Sequence, residues 1–403
     1  MTNEKGFLEK GFQKRLFLPA LAFAVFAAAV IDVMLPLLLT DIAETFQVQV
    51  GTAVTISSTS ALAGVAVGLL MAVLSVRFKH KSLLLIGVLC ISIAALGSYL
   101  APSLLFLQVL YSLNGIGSVM VGAMALSLIG EFYPLRERGK AVGWIVAAGF
   151  LAFTIGAPMT GLLASVGDWR SIMLWFNLPV SVASLFFAFM VLPSKSGEHQ
   201  AAERTSVFAG FRQTLTNKSA TACLLGTLFA SASGVITTFV ISFWRHQFLM
   251  GTTMGSIITM VNATSAAAGG IVAGRLLNRT GRKLTGVVAG FVVSIMVILT
   301  FFTPTLELSW IVSIIRVWCS GMLASAFASL TLEQVPEFRG AMMSLRGAFG
   351  GVGGFLGVTI GGIVLNTYGY EAVGMLLAAA SFASITVILF FAIDPARKVN
   401  HVG

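Results

Sequence analysis

Leu284-Thr-Gly-Val-Val-Ala-Gly-Phe-Val-Val-Ser-Ile-Met-Val-Ile-Leu-Thr-Phe-Phe-Thr303 is an uncharged run of twenty residues. It follows directly on Gly274-Arg-Leu-Leu-Asn-Arg-Thr-Gly-Arg-Lys283, a short segment with four cations. At 1.5 Å per residue, about 20 apolar residues in a helix cross the ~30 Å hydrocarbon core of a bilayer. The same alternation recurs along the chain and predicts spans at 17–39, 52–75, 83–101, 104–128, 141–165 and 172–192. Six more follow at 219–243, 251–274, 284–303, 309–331, 341–365 and 372–392. The runs are too long, and too uniformly apolar, for the strands of a membrane barrel. The expected fold class is an all-α membrane protein of twelve transmembrane helices.

Composition agrees. Of 403 residues, 57% are hydrophobic and 10% charged, against about 45–50% and about 25% in soluble domains. That excludes an ordinary soluble enzyme, a secreted domain and a disordered chain. The net charge of +10 is explained by where the cations fall. Twenty-two of the 25 Lys and Arg, including Arg77, Lys81, Arg138, Arg279, Arg282, Arg339 and Arg346, sort to loops on one side. Arg170 and Arg245 fall on the other, and Arg316 lies within a span. The positive-inside rule then places both termini in the cytoplasm of a multi-pass protein of the plasma or inner membrane. No nucleic-acid partner is needed for the charge. A cleavable signal peptide is not expected, because the first apolar run is long enough to span.

The long connection 193–218 divides the chain into six-helix halves, 1–192 and 219–403. Within it Val207, Phe208, Phe211 and Leu215 share one helical face, which suits a short interfacial helix; a plain linker fits as well. The halves repeat. Arg77 and Lys81 correspond to Arg279 and Lys283 at an offset of 202, Gly167 to Gly369 at 202, and Arg138 to Arg339 at 201. Duplicated six-helix units are typical of secondary transporters that bind substrate between the repeats.

At these residues the chain resembles the major facilitator superfamily over nearly its whole length. Gly274 to Lys283 is similar to the family's loop signature, with Asn278 where an acid is usual. The equivalent stretch at Val76-Arg77-Phe-Lys79-His80-Lys81 is degraded. Glu131-Phe-Tyr-Pro134 through Arg138-Gly139 resembles the loop after span four, and Asp168-Trp169-Arg170 the entry to span six. Asp32-Val-Met-Leu-Pro36 and Gly149…Gly156-Ala-Pro158-Met-Thr-Gly161 resemble the twelve-span drug/proton antiporter branch. Tyr111 stands where that branch usually carries Arg. The resemblance implies two pseudo-symmetric halves, alternating access, and a cavity lined by spans one, four, seven and ten.

Two charges lie deep in the spans, and a buried charge costs about 2.5–3.5 kcal/mol on insertion scales. Asp32 and Arg316 each fall about 10 Å below the outer surface, counted from the expected span ends. Both are read as proton-coupling residues, with Asp32 exchanging the proton in the field of Arg316. A permanent salt bridge, or an anion-binding Arg316, are the alternatives. Arg77, Lys81, Glu131, Arg138, Asn278, Arg279, Arg282, Glu333 and Arg339 are read as a cytoplasmic latch, or as topology determinants only. Gly156 and Pro158 should bend span five. The many glycines of span eleven, from Gly347 to Gly362, suggest a sliding seam with span five, or simple tight packing.

Phe26, Tyr111, Asn114, Phe153, Ser231, Thr237, Asn262 and Trp318 are expected to line the substrate site, an apolar wall with scattered hydrogen-bonding groups. The four histidines, His80, His199, His246 and His401, have no acid at useful sequence spacing, and no phosphate-binding Gly-x-x-x-x-Gly-Lys-Ser/Thr occurs. No enzyme, cofactor or metal site is expected, and the three cysteines read as small buried side chains. The expected activity is proton-coupled efflux of small amphipathic compounds by a monomer. The alternative is a carrier, proton-coupled or facilitative, for a polar or anionic metabolite such as a sugar, organic acid, nucleoside or amino acid. A non-transporting membrane receptor is the remote third reading.

Overall fold

A computed structural model describes residues 11–133, 135–193, 204–335 and 338–394. Every regular element among them is helical. Helices long and apolar enough to cross a membrane run Arg15–Thr45, Val50–Met71, His80–Leu100, Leu104–Phe132, Ala141–Ala164 and Trp169–Val191. They continue with Lys218–Gln247, Thr252–Leu277, Arg282–Phe302, Leu306–Leu332 and Met342–Phe391. The last is 50 residues long, about 75 Å at helical rise, far more than one crossing. It breaks at Gly369, whose φ of 82° and ψ of −175° are not helical, and so forms spans eleven and twelve. A positive φ is nearly free for glycine and strained for most other residues.

Two compact units result: Met1–Ile42 with Thr59–Ala201, and Ala43–Ser58 with Ala202–Gly403. The segment Ala43–Ser58, which the sequence puts in the first half, packs with the second unit. A Cβ on Gly51 would lie 2.4 Å from the Gly362 carbonyl oxygen, and Asn366 Nδ2 donates to Thr52 Oγ1 at 3.1 Å. The core of the first unit gathers Phe17, Leu84, Val88, Val121 and Leu128. That of the second gathers Cys223, Leu224, Phe327, Leu330, Met342 and Ile388. The three cysteines are free. A helix covers Arg204–Thr216 in the connection, with Phe211 half-buried and Leu215 exposed; the side chains of Val207 and Phe208 lie outside the described residues.

Prolines shape the spans by a common mechanism. A proline removes one backbone donor, and its ring crowds the carbonyl four residues earlier. Span five relieves this with a π-helical turn, Ala152–Gly156, two residues ahead of Pro158. Span six does the same with Met173–Asn177 ahead of Pro179. The carbonyls that would clash, of Thr154 and Trp175, fall inside the widened turns. In span one Pro36 leaves the carbonyl of Asp32 without its usual helical donor.

The glycine face of span eleven packs closely against span seven of the same unit, as the tight-packing reading expects. A Cβ on Gly353 would lie 2.0 Å from the Leu228 carbonyl oxygen, and one on Gly357 2.4 Å from that of Ala232. The reason is steric: only hydrogen fits where two backbones come this close. Gly354, one position on, has open space. Gly353→Ala should therefore lower the melting temperature of the detergent-solubilised protein by several degrees. Gly354→Ala should leave it unchanged or raise it slightly, since alanine stabilises a helix by roughly 0.5–1 kcal/mol over glycine. Equal effects of the two would contradict this packing.

Candidate functional site

Span four presents Tyr111, Asn114 and Ser118 at three- and four-residue spacing, which places them on one helical face. That face grips span one. The Tyr111 hydroxyl donates to the Ile31 carbonyl at 3.1 Å, Asn114 Nδ2 to Asp32 Oδ1 at 2.6 Å, and Ser118 Oγ to Asp32 Oδ2 at 3.5 Å. Asn114 is fully buried, whereas the Asp32 side chain is accessible between the buried Ile31 and Val33. Hydrogen bonds to an ionised group contribute about 1.5–3 kcal/mol each. The short amide contact and the weaker hydroxyl one together offset much of the cost of a carboxylate at this depth.

The observed helices extend beyond their apolar windows, because a helix continues through the polar interface. Asp32 therefore lies near the middle of Arg15–Thr45, and Arg316 ten residues into Leu306–Leu332, about 15 Å along its axis. Both lie farther from their helix ends than the expected span ends suggested. The expected coupling pair is divided between the units, and each member makes hydrogen bonds inside its own. Arg316 is 4% exposed. Its Nη2 donates to Ser313 Oγ at 3.3 Å, which also receives Asn262 Nδ2 at 3.3 Å, while Nε has no partner.

A cavity of about 290 Å³ opens inside the second unit. Ser231 and Arg316 line it; the other expected wall residues of that half, Thr237, Asn262 and Trp318, are not among its lining. Thr237 is exposed and Trp318 half-buried, its carbonyl packed against Gly269. In the first unit Phe26 is half-buried and Phe153, on the π-helical turn, exposed. Tyr111 is a correction. It is 2% exposed and ties two spans together, so it offers no exposed wall. The residue that sequence reasoning missed is Arg346, sorted with the loop cations. It lies seven residues inside the helix that starts at Arg339, is half-buried, and lines the same cavity as Arg316.

The charged loop residues pair within units. His80 Nδ1 meets Glu131 Oε2 at 3.0 Å, an acid 51 positions away that spacing along the sequence does not announce. Arg282 Nη1 meets Glu333 Oε1 at 3.5 Å. Both members are offset by 202 between the two pairs, so these are one interaction made twice. Lys81 Nζ donates to the carbonyls of Phe189 at 2.8 Å and Leu192 at 2.5 Å. Its counterpart Lys283 donates to Ala392 at 2.7 Å. Asp394 Oδ2 accepts the backbone N–H groups of Arg282 and Lys283 at 3.0 and 3.1 Å, capping span nine. Arg77 and Arg279 are exposed; the side chains of Arg138, Asn278 and Arg339 lie outside the described residues.

Two duplicated six-helix bundles with matching loop clasps define a known architecture, and the comparisons agree. The Major Facilitator Superfamily model matches residues 21–318 and 223–403. The chain belongs to the Major Facilitator Superfamily. It is a multi-pass membrane transporter rather than an enzyme. It is 23% identical to the uncharacterised MFS-type transporter YwfA of Bacillus subtilis, covering 92% of this chain and 90% of that one. It is 26% identical to the chloramphenicol resistance protein of Streptomyces lividans over 66% of this chain and 68% of the relative. Among solved structures, the D-xylose-proton symporter superposes with a TM-score of 0.76 at 16% identity, covering 95% of this chain and 98% of that one. The nucleoside transporter NupG gives 0.76 at 14%, covering 92% and 98%. These likenesses establish the fold.

Tyr111→Phe removes one buried hydrogen bond and keeps the ring. It should destabilise the protein by about 0.5–1.5 kcal/mol and leave the ranking of transported compounds unaltered. Thermal unfolding and a competition panel check both; a changed ranking would return Tyr111 to the binding wall.

Proposed function

We propose that the protein is a proton-coupled secondary transporter that exports small amphipathic compounds by alternating access of its two six-helix halves. In this reading residues 1–192 and 219–403 are the halves, both termini are cytoplasmic, the membrane is the plasma or inner membrane, and the monomer is the working unit. The observation that carries it is the Asp32 carboxylate near the middle of the span-one helix, held by Asn114 and Ser118. Relatives named as multidrug resistance proteins, among them the chloramphenicol resistance protein and multidrug resistance protein 2 of Bacillus subtilis, support export of drug-like solutes.

The coupling follows from elementary electrostatics. Ionised Asp32 draws the Asn114 amide into a charge-assisted bond and fastens span one to span four. Protonation removes the charge and weakens that bond. The Asp32 carbonyl, already relieved of its helical donor by Pro36, makes this a point where span one bends at low cost. Proton occupancy and the shape of span one are thereby linked, and a linked equilibrium shifts only by the difference in affinity between its two states. Arg316, in the second unit, is a buried cation with no ion-pair partner among the described residues. A second reading, a carrier for an anionic metabolite, is favoured by that same unpaired Arg316.

Purified protein in proteoliposomes, with an imposed pH gradient and a panel of lipophilic cations, sugars and organic acids, tests the proposal. Asp32→Asn should abolish gradient-driven accumulation while retaining downhill exchange. Accumulation undiminished in Asp32→Asn would remove this residue from the proton path.

A further inference from the structure

We propose that the cavity inside the second unit is a binding site for the carboxylate or phosphate group of a small solute, held between Arg316 and Arg346. This deepens the transport reading by naming a substrate class, and it rests on that reading only for the claim that the bound solute is carried.

Both guanidinium groups line one cavity, and in both the Nε–H is buried without an acceptor. Arg316, 4% exposed, is the more deeply enclosed. Among the described residues, those lining the cavity include no Asp or Glu. An isolated cation taken out of water is costly unless an opposite charge and hydrogen bonds compensate it. Two in one cavity, with donors unused, form an arrangement that an anion completes. Arginine suits this task because its planar fork matches carboxylate and phosphate oxygens in pairs.

The depth of the two groups agrees. Spans ten and eleven are consecutive crossings and run in opposite directions. Arg316 lies about 15 Å from the start of its helix at Leu306 and Arg346 about 10 Å from the start of its own at Arg339. The two therefore extend into the bundle from opposite ends of it. An anion between them would be partly withdrawn from bulk water beside the buried Arg316, where electrostatic attraction is stronger than in open solvent.

The rest of the wall sets the body of the solute. The hydroxyls of Ser231 and Ser320 supply further polar contacts on one part, and Val293, Val297, Leu323 and Phe327 form an apolar part. A volume near 290 Å³ is at the lower end for small-molecule sites, which span about 300–1,000 Å³. The fit is to a small amphipathic acid: one anionic group on a compact apolar frame.

The test is equilibrium binding to the full chain in phosphatidylcholine nanodiscs, by calorimetry, with benzoate, benzamide, benzylamine and inorganic phosphate. Benzoate should bind at one site, and benzamide and benzylamine at least tenfold more weakly. Arg346→Gln should weaken benzoate at least tenfold, with Arg346→Lys, which keeps the charge but loses the fork, in between. Arg316→Lys should weaken it similarly. If that variant fails to fold, seen by size exclusion, the half-buried Arg346 variants carry the test alone. Equal binding of benzoate and benzamide, or benzoate affinity unaltered in Arg346→Gln, would overturn the proposal. Phosphatidylglycerol in the disc separates the sources of the anion: displacement of benzoate assigns the site to a lipid phosphate, and unchanged binding assigns it to a free solute. Either outcome of that arm supports an anionic guest. No proton gradient enters the measurement, so its failure leaves coupling through Asp32 standing, and failure of coupling leaves the anion site standing.

Discussion

Hydrocarbon offers a backbone no hydrogen-bond partner, and the rest of the molecule follows from that constraint. Each crossing must satisfy its own N–H and C=O groups, so the spans are helices. Departures from the helix occur where a side chain or neighbouring turn absorbs the loss. The π-helical turns ahead of Pro158 and Pro179, and the Asp32 carbonyl deprived of its usual donor by Pro36, are three instances. They cluster in spans one, five and six. A transporter needs bendable places in otherwise stiff rods, and proline provides them at fixed positions.

The same scarcity of partners makes each charge in the membrane informative. Asp32 is compensated by Asn114 and Ser118 from span four. Arg316 has one long bond to Ser313 and an unused Nε, and Arg346 has an unused Nε as well. The two units therefore differ in the charges they hold despite their shared architecture: the first has an acid inside a hydrogen-bond cradle, the second two cations around a cavity. Their ends are alike. The His80–Glu131 and Arg282–Glu333 contacts, and the Lys81 and Lys283 bonds to helix-terminal carbonyls, are retained in duplicate because they close the same helix ends. One difference survives there too, a titratable histidine in one clasp and a permanently charged arginine in the other.

Legibility in the sequence tracks the range of the interaction. Twelve crossings, the repeat and the placement of Asp32 and Arg316 within spans rest on local apolar runs and on charges out of place, so they can be read along the chain. The His80–Glu131 contact joins residues 51 apart, and nothing in the spacing announces it. Arg346 falls inside the span read at 341–365 yet sorts with the loop cations by its charge; that it borders a cavity depends on helix rotation, which no local pattern announces. The glycines of span eleven were visible as a close-packing face; their partner, span seven, was not.

The amino-acid order alone determined the class of solvent, the number of crossings and the two duplicated halves, because each depends on the hydropathy of contiguous residues. Which side chains share a cavity, which acid meets which base, and that Ala43–Ser58 packs with the second unit were decided by tertiary structure. These depend on the rotation of each helix about its axis and on backbone approach distances of a few ångströms, quantities set jointly by several helices at once.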